Sequence, residues 1–586
     1  MFFSKKKTPA DDAKTPAEDA GAQPVVNEKP MDESSTPAVA GSSAEPDDAV
    51  YPKGIKLFLL IASVFVSLFL ISLDRLIVAT AIPAITNEFN SVTDIGWYGS
   101  AFLLTNAAFQ LMFGKVYTYF SVRGTFLMSI FLFEAGSAIS GAAPNSPTLI
   151  VGRAIQGLGA AGLMAGAFTI IIYAVPLDKR PLYQGLVAVI FGLSSVLGPL
   201  VGGAFTSNVT WRWCFYINLP FGGLAFAFVA FLLKIPSRPE TKIPLKDKIF
   251  QLDLLGSAAL LPGTVSLLLA LQWGGSTYEW SDGRIIALLT LAISLLIVFC
   301  LVQVYTPKTA TIAPRIFKQR SVVAAVWCTV CNGSSMLMFI YFLPLWFQTI
   351  QAITAIDSGI LLLPLCLPMV ASAMIAGVGT TKIGYYTPFL LLGTCFMAVG
   401  AGLLTTLQPW TPDSYPIGYQ VLYGIGTGLV LQAPNLAAQT VLGQKDAPVG
   451  LTLIMFVQLL GGAVFLSVGQ NVLNNRLLEY LAPIPGFSAR LLMNNGATTL
   501  IEVLGAAQKP AVLAAYNEAL RWVFRVGLII ICLAVPGALA MEWKSVKKPQ
   551  QKDGKEEEGV VEEKVVEEGS ETDRKVEGGE KIAEKA

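Results

Sequence analysis

Fourteen apolar stretches, each long enough to cross a lipid bilayer, follow one another between residues 55 and 542. A helix needs about 20 mostly apolar residues to span roughly 30 Å of hydrocarbon. Because lipid offers no hydrogen bonds to a bare backbone, these stretches predict transmembrane α-helices, and the expected fold class is an all-α polytopic membrane protein. The predicted spans are 55–83, 96–117, 123–143, 147–175, 181–206, 213–234, 253–274, 284–305, 322–350, 357–380, 386–407, 415–442, 448–473 and 522–542.

Charged residues are concentrated at the two ends of the chain. Residues 1–53 and 542–586 hold 40 of the 81 charged side chains, although they are only 98 of the 586 residues. The apolar region between them has 41 charges in 488 residues, far below the quarter of residues that is usual in a soluble domain. A water-soluble globular enzyme is therefore excluded. Both polar ends have too few apolar residues to form a core, so we expect them to be disordered.

Lys and Arg residues lie almost entirely in alternate connections between the spans. Twenty of them flank one side of the membrane, and only Arg212 and Arg284 lie in the short connections on the other side. The positive-inside rule then places both ends of the chain in the cytoplasm. The long outer connection 474–521 is amphipathic, and we expect it to form short helices on the membrane surface.

Fourteen spans divide into six, two and six, with the inserted pair between two cytoplasmic connections. Secondary transporters built from repeated halves have such an organisation, and they bind substrate near the bilayer midplane. The expected domains are a disordered cytoplasmic tail (1–53), a six-helix half (54–234), cytoplasmic linkers with two inserted spans (235–321), a second six-helix half with its extracellular loop at 474–521 (322–544), and a disordered charged tail (545–586).

The residues that are missing exclude several kinds of chemistry. The chain has no His, which excludes a His base, His-ligated haem and His-containing zinc sites. Its seven Cys lie in apolar stretches, and the pair Cys328 and Cys331 has no second pair to complete a metal site. No GxxxxGK[ST] motif occurs, which argues against ATP as the energy source. We expect no metal and no cofactor, and a proton gradient as the driving force.

Three ionisable residues fall inside the predicted spans of the first half. Asp74, Glu134 and Arg153 each lie roughly 9 to 14 Å below the outer end of their span, at about 1.5 Å per helical residue. Charged groups at such depth are costly and are usually functional. Arg153 is expected to keep one carboxylate ionised, while the other carboxyl, removed from water, is free to take up a proton. The alternative is a static buried ion pair that orients the helices; Arg75, next to Asp74, is left unassigned.

Small residues and a proline recur in the fifth span. Gly198, Pro199, Gly202 and Gly203 lie on closely spaced turns, where small side chains let helix backbones approach and Pro introduces a kink. A kinked, closely packed helix suits a part that moves during alternating access. Tight packing without movement is the alternative.

Polar and aromatic residues, rather than charges, mark the spans of the second half. We predict a substrate cavity lined by Gln432, Asn435, Gln458, Trp346 and Phe347, because small-molecule sites are mostly apolar with a few orienting hydrogen-bonding groups. Hydrogen bonds between helices would explain the same polar residues equally well. A cavity of this kind suits a bulky, weakly charged organic molecule.

Several motifs make this chain similar to the major facilitator superfamily, and within it to the drug:proton antiporter family with fourteen spans. They are "LDRLIVATAIP" at 73–83, "LIVGRAIQG" at 149–157 and "GPLVGG" at 198–203. The resemblance implies the major facilitator fold of two six-helix halves plus two inserted helices. It also implies a proton-transfer role for Arg153 beside Gln156 and Gly157, and an exporter signature in the Gly-Pro motif.

One loop departs from the superfamily pattern. Between the second and third spans the chain reads "GKVYTYFSVR", with Thr118 where the family usually has an acidic residue. This relaxed loop resembles that of fungal efflux carriers for toxins and other secondary metabolites.

The resemblance implies a proton-coupled efflux transporter that exports a hydrophobic or amphipathic small molecule by alternating access. Its expected location is the plasma membrane, with the vacuolar membrane left open. The expected partners are the lipid bilayer, the substrate and protons, without nucleic acid or an obligate protein partner. An importer of a metabolite or iron chelate and a non-transporting membrane sensor remain alternatives. Asn208 begins a formal N-glycosylation sequon, Asn-Val-Thr, in a short outer connection.

Overall fold

The computed structural model of the protein describes residues 54–89, 94–233, 239–275, 278–307, 309–412, 414–484 and 508–547. This part of the chain is mostly helical. Its α-helices are α1 (Ile55–Phe89), α2 (Ile95–Tyr119), α3 (Val122–Gly141), α4 (Ser146–Ala174), α5 (Arg180–Asn208), α6 (Trp213–Tyr216), α7 (Asn218–Leu232), α8 (Leu245–Gln251), α9 (Leu254–Trp273), α10 (Gly283–Tyr305), α11 (Pro314–Phe317), α12 (Arg320–Ile350), α13 (Ala355–Ile360), α14 (Leu363–Ile383), α15 (Thr387–Leu404), α16 (Ser414–Leu431), α17 (Ala433–Val441), α18 (Ala447–Leu481) and α19 (Lys509–Ala540).

Thirteen helical segments of the described residues are long and apolar enough to cross a membrane. Helix α2 has 25 residues and so the necessary length, but it carries more polar side chains, among them Asn106, Gln110 and Lys115. With α2, the described helices account for the fourteen predicted spans, and the predicted all-α membrane fold is confirmed.

Three predicted spans are each made of two helices, and a proline lies shortly after each break. Pro has no N–H to donate to the carbonyl four residues earlier, which weakens a helix at that point. Helix α6 ends at Tyr216, four residues before Pro220, and α13 ends at Ile360, four residues before Pro364. Helix α16 likewise ends shortly before Pro434. Helices α9, α12, α14 and α19 nevertheless continue through an internal proline.

Several helices extend beyond the ends that hydropathy predicted. Helix α1 runs to Phe89 instead of residue 83, α18 runs to Leu481 instead of 473, and α19 begins at Lys509 instead of 522. Much of the expected loop 474–521 is therefore helix, and 485–507 lies outside the described residues. Hydropathy ends a span where polar residues begin, but a helix can continue once it has left the hydrocarbon.

The predicted tails lie almost wholly outside the described residues. The exception is the beginning of the C-terminal one, because Val546 is 1% exposed and its N–H donates a hydrogen bond of 2.8 Å to the carbonyl of Gly384. The chain therefore stays attached to the turn between α14 and α15 for a few residues past α19.

Two helical halves and an inserted pair form the described bundle. Helices α1 to α5 and α7 pack on one another in the first half, and α12, α14 to α16, α18 and α19 do so in the second. The inserted pair, α9 and α10, packs on one helix of each half. Its apolar contacts with α2 and α18 form a cluster that includes Leu111, Leu260, Phe299, Leu453 and Phe456.

Close contacts between the two halves occur toward one end of the bundle. We call this end the basic face; it is marked by Lys56, Lys115, Arg180, Lys382 and Lys445.

Near the basic face, α2 of the first half touches α18 of the second. A Cβ atom built on Gly114 would lie 2.2 Å from Oγ1 of Thr452. Helix α5 touches α14 in the same way, since a Cβ on Gly377 would lie 2.6 Å from the carbonyl oxygen of Pro181. The Tyr173 hydroxyl also donates a hydrogen bond of 3.4 Å to the carbonyl of Gln444.

Asp253 holds the inserted pair to its linker. Its carboxylate, 4% exposed, accepts hydrogen bonds from Gln303 Nε2 (2.7 Å) and from both the backbone N–H (2.9 Å) and the hydroxyl (2.8 Å) of Thr311. It also caps α9 by accepting from the N–H of Gly256 at 2.9 Å. One buried side chain thus joins α9, α10 and the chain that leads to α12.

We expect Asp253→Ala to lower the thermal unfolding temperature of the purified protein. The change leaves the buried N–H of Thr311 without an acceptor, at a cost of at least about 2 kcal/mol. Asp253→Asn should cost less, because Asn keeps one acceptor oxygen and tolerates the positive φ of 52° found here. Equal unfolding temperatures for the wild type and both variants, measured in detergent, would contradict this account.

Candidate functional site

A buried ion pair joins α1 and α4 inside the first half. Arg153 Nη1 donates to Asp74 Oδ2, and the two residues are 1% and 0% exposed. Arg153 Nε donates to the carbonyl of Tyr98 on α2 at 2.9 Å, and its guanidinium lies over the ring of Phe102 at 4.7 Å. The guanidinium is therefore held by an anion, a carbonyl and an aromatic face.

Three amide and hydroxyl side chains complete the hydrogen bonding around Asp74. Gln156 Nε2 donates to Asp74 Oδ1 at 3.0 Å and to Ser137 Oγ at 2.6 Å. Asn218 Nδ2 donates to the same two oxygens at 3.3 and 2.9 Å, and Gln156 Oε1 accepts from Arg153 Nη1 at 2.9 Å. The carboxylate of Asp74 is thus bonded by donors from two helices, and we call these five residues the Asp74 network.

The local sequence explains how these groups meet. Arg153 and Gln156 are three residues apart, so they lie on one face of α4. Gly157 allows α2 to approach that face, because a Cβ there would lie 2.2 Å from the carbonyl oxygen of Phe102. Asp74, Arg153, Gln156 and Gly157 were predicted from the sequence, but Ser137 and Asn218 were not. Their only signal in the sequence was a polar residue within an apolar stretch.

Glu134 is not part of the Asp74 network. Within the described residues neither of its carboxyl oxygens has a hydrogen-bond partner. The side chain lies against α7, where a Cβ on Gly222 would be 1.7 Å from Glu134 Oε1, one helical turn from Asn218. Glu134 and Arg153 are each seven residues from the same end of their helices, α3 and α4, a depth of about 10 Å.

Glycines of the "GPLVGG" motif bring α5 against α1. A Cβ on Gly198 would lie 2.7 Å from Leu76 Cβ, and one on Gly202 would lie 2.2 Å from Thr80 Oγ1. A Cβ on Gly203 would meet nothing within 4 Å. The side chain of Pro199 is not among those described. The motif therefore contains two positions, 198 and 202, where only glycine fits, and one position, 203, where a larger side chain would meet no other atom.

A pocket opens in the second half, between α12, α16, α17 and α18. Asn435 and Gln458 line it, as do Thr329, Asn332 and Thr427.

Several amide atoms in this pocket have no hydrogen-bond partner within the described residues. Both polar atoms of Asn332 and the Oδ1 of Asn435 have no partner within the described residues, while Asn435 Nδ2 donates to Gln432 Oε1 at 3.2 Å. The lining carries no charged side chain, so the pocket suits a mostly apolar molecule with a few hydrogen-bonding groups.

Three of the expected cavity residues, Gln432, Trp346 and Phe347, do not line this pocket, although Gln432 is hydrogen-bonded to its lining residue Asn435. Trp346 is fully buried, with its Nε1 donating to Asn517 Oδ1 on α19 at 2.8 Å. Phe347 is 2% exposed and packs edge-on against Trp346. Neither side chain lines the pocket, because an aromatic residue in an apolar helix packs between helices as readily as it faces a cavity. Asn208 lies in the last turn of α5, where its Nδ2 donates to the carbonyl of Ala204 at 3.0 Å.

Similar proteins identify the family of the chain. The profile of the Major Facilitator Superfamily matches residues 64–466. The chain is 50% identical over 499 residues to an MFS-type transporter of Claviceps purpurea, covering 84% of this chain and 86% of that protein. It is 45% identical over 502 residues to the rubrofusarin-specific efflux pump aurT of Gibberella zeae, covering 86% and 92%. The MFS-type efflux pump MFS1 of Trichophyton rubrum is 44% identical over 496 residues, covering 84% and 92%.

Solved structures share the fold. The proton:xylose symporter XylE superimposes with a TM-score of 0.53 at 13% identity, covering 83% of this chain and 95% of that one. The human organic anion transporter MFSD10 gives a TM-score of 0.53 at 13% identity, covering 82% and 100%. At this identity the likeness concerns the fold alone. With the profile match and the relatives, it shows that the chain belongs to the major facilitator superfamily, and its fold and relatives are those of transporters, not enzymes.

We expect Gly202→Ala to destabilise the protein and Gly203→Ala to be neutral. The Cβ at position 202 would also lie 2.8 Å from the backbone carbonyl of Ile77, so α1 and α5 must separate, at a cost of about 1–3 kcal/mol. The change at position 203 should stay within about 0.5 kcal/mol. Thermal unfolding of both variants in detergent provides the comparison, and equal destabilisation would contradict the assigned contact.

Proposed function

We propose that this transporter is a proton-coupled exporter of hydrophobic or amphipathic small molecules, such as toxins, drugs or secondary metabolites, and that it works by alternating access. The observation that carries the proposal is a buried carboxylate–guanidinium pair, with a carboxyl at similar depth that has no hydrogen-bond partner within the described residues. Ionisable groups inside a membrane protein are usually part of an ion or proton pathway. No His is present to take that role.

Asp74 and Glu134 are suited to different proton states. The donors around Asp74 stabilise a carboxylate, whereas a buried carboxylate without any donor, as at Glu134, would be far more costly than a neutral carboxyl. A proton that reaches Asp74 forms its O–H bond and removes the charge that holds Arg153. Asn218 and Gly222 are one turn apart on α7, so the two carboxyls border the same helix.

The link from proton to movement runs through α1 and α5. Helix α1 carries Asp74 and packs against Gly198 and Gly202 of α5. Helix α5 in turn packs on α14 of the other half near the basic face. When Asp74 is protonated, its network loosens and α1 holds α5 less firmly. The contact between α5 and α14, which closes the basic face, is then weakened. In this way protonation would shift the balance between a closed and an open basic face.

The proposed direction and location rest on charge and on relatives. The basic face is rich in Lys and Arg, so we assign it and both ends of the chain to the cytoplasm. Related proteins are named efflux pumps, and one is named for a specific metabolite. The uncharged pocket of the second half is suited to an apolar cargo, and we place the transporter in the plasma membrane.

Asp74→Asn is expected to abolish uphill transport while leaving the protein folded. Asn keeps the shape of the side chain but has no negative charge and takes up no proton. Glu134→Gln should slow transport, and Glu88→Gln, in the last turn of α1, serves as a matched control that keeps it. The assay is accumulation of aromatic toxins or dyes in inside-out vesicles with an imposed pH gradient. Normal gradient-dependent accumulation by Asp74→Asn would refute the coupling role, and transport in the opposite direction would indicate an importer.

A cross-link across the basic face should arrest transport. The Cβ built on Gly114 lies 3.3 Å from Thr452 Cβ, close to the roughly 3.5–4.5 Å found across disulfides. We expect the double variant Gly114→Cys, Thr452→Cys to lose transport on oxidation and regain it on reduction. The two single variants control for bonds to native cysteines. Undiminished transport by the fully oxidised double variant would argue against alternating access at this face.

A further inference from the structure

Arg75 is a charged residue in the middle of α1 that the Asp74 network does not use. Its side chain is exposed, although the neighbouring residues Leu73, Asp74 and Ile77 are 2%, 0% and 0% exposed. Successive residues of a helix point about 100° apart, so Arg75 points away from the ion pair between Asp74 and Arg153.

On the side toward the basic face, the residues that share the helix face of Arg75 are buried. Residues one, two and three turns closer to the basic face on the same side are Ile71, Leu68 and Val64, at 2%, 0% and 0% exposure. A face turned toward lipid stays exposed over many turns, as on α10, where Ile286, Ile293, Ile297, Leu301 and Val304 are 49%, 57%, 54%, 50% and 65% exposed.

On the side of α1 that carries Arg75, the residues near the basic face, where the two halves touch, are buried, and Arg75 itself is exposed. A bare guanidinium in hydrocarbon costs several kcal/mol, whereas one that lines a water-filled cavity is tolerated. An exposed Arg in the middle of α1, beyond the level at which the halves touch, is therefore consistent with a position in a water-filled space between them.

The charge of Arg75 is not balanced by the protein. Within the described residues it makes no hydrogen bond, ion pair or ring contact, whereas Arg153 is paired with Asp74. Asp74, Arg75 and Arg153 together carry one excess positive charge when Asp74 is ionised. Arg presents a planar fork of N–H donors that matches a carboxylate, and it stays protonated at any pH that a cell meets.

We propose that Arg75 is the anion-recognition residue of the substrate cleft, and that the cargo is an apolar organic anion carrying a carboxylate or an ionised phenol. This proposal rests on the exporter function and narrows its substrate class. The uncharged pocket lined by Asn332, Asn435 and Gln458 takes the apolar body, and Arg75 takes the acidic group. Neutral analogues of the same shape bind more weakly because they leave the guanidinium unpaired.

Binding of a matched pair of fluorescent probes tests the proposal without requiring transport. The probes are 9-anthracenecarboxylate and the neutral 9-anthracenemethanol, titrated into the full-length protein in phosphatidylcholine nanodiscs, with empty nanodiscs as the blank. Arg75→Gln should weaken binding of the carboxylate about tenfold or more, as expected for a lost charged hydrogen bond, and leave binding of the alcohol unchanged. Arg75→Lys keeps the charge and should give an intermediate loss.

Three results would overturn the proposal: unchanged carboxylate affinity in Arg75→Gln, an equal loss for both probes, or no preference of the wild type for the carboxylate. Thermal unfolding shows that the variants are folded. Asp74→Asn separates this proposal from the exporter function, because it should lose gradient-driven accumulation and keep carboxylate binding. Absence of transport in wild-type vesicles, together with Arg75-dependent binding, would refute the exporter and retain the anion site.

Discussion

The first half of the protein depends on the buried ion pair of Asp74 and Arg153, because the surrounding helices must supply its remaining hydrogen bonds. A buried pair is stabilising only when its remaining donors and acceptors are also bonded. Gln156 and Asn218 supply those bonds to Asp74, and the carbonyl of Tyr98 supplies one to Arg153. These contacts draw α1, α2, α4 and α7 to one point. The close helix approach they require is possible because small residues lie at the crossings, such as Gly157 on α4.

The two halves differ in the polar groups that they bury. The first half holds the buried pair of Asp74 and Arg153, and we place the charge of Arg75 in the space between the halves. The second half has a pocket with unpaired amides and no charged lining residue. Between them, the inserted helices pack on α2 and α18 and are tied to their linker by Asp253. An asymmetric cleft of this kind favours molecules with one polar end and one apolar body.

Hydropathy and charge located most of this architecture. The number of spans and the position of Asp74 and Arg153 inside them follow from the length and polarity of the stretches. Helix ends were predicted less well, since α1, α18 and α19 continue beyond the apolar residues. Glu134 was grouped with the ion pair by depth alone, and Trp346 was assigned to a cavity although that residue bonds Asn517.

The sequence by itself determined that the chain crosses a membrane many times and that it has no His to carry a proton. Those properties depend on composition and on spacing within a single helix, which local residues set. Only the tertiary structure decided which polar groups meet. Asp74 and Arg153 are 79 residues apart, and Asp74 and Asn218 are 144 apart. Rotation of each helix about its axis decides whether Glu134 joins them and whether Arg75 faces the cleft. That rotation is set by packing against other helices, which no single stretch of sequence specifies.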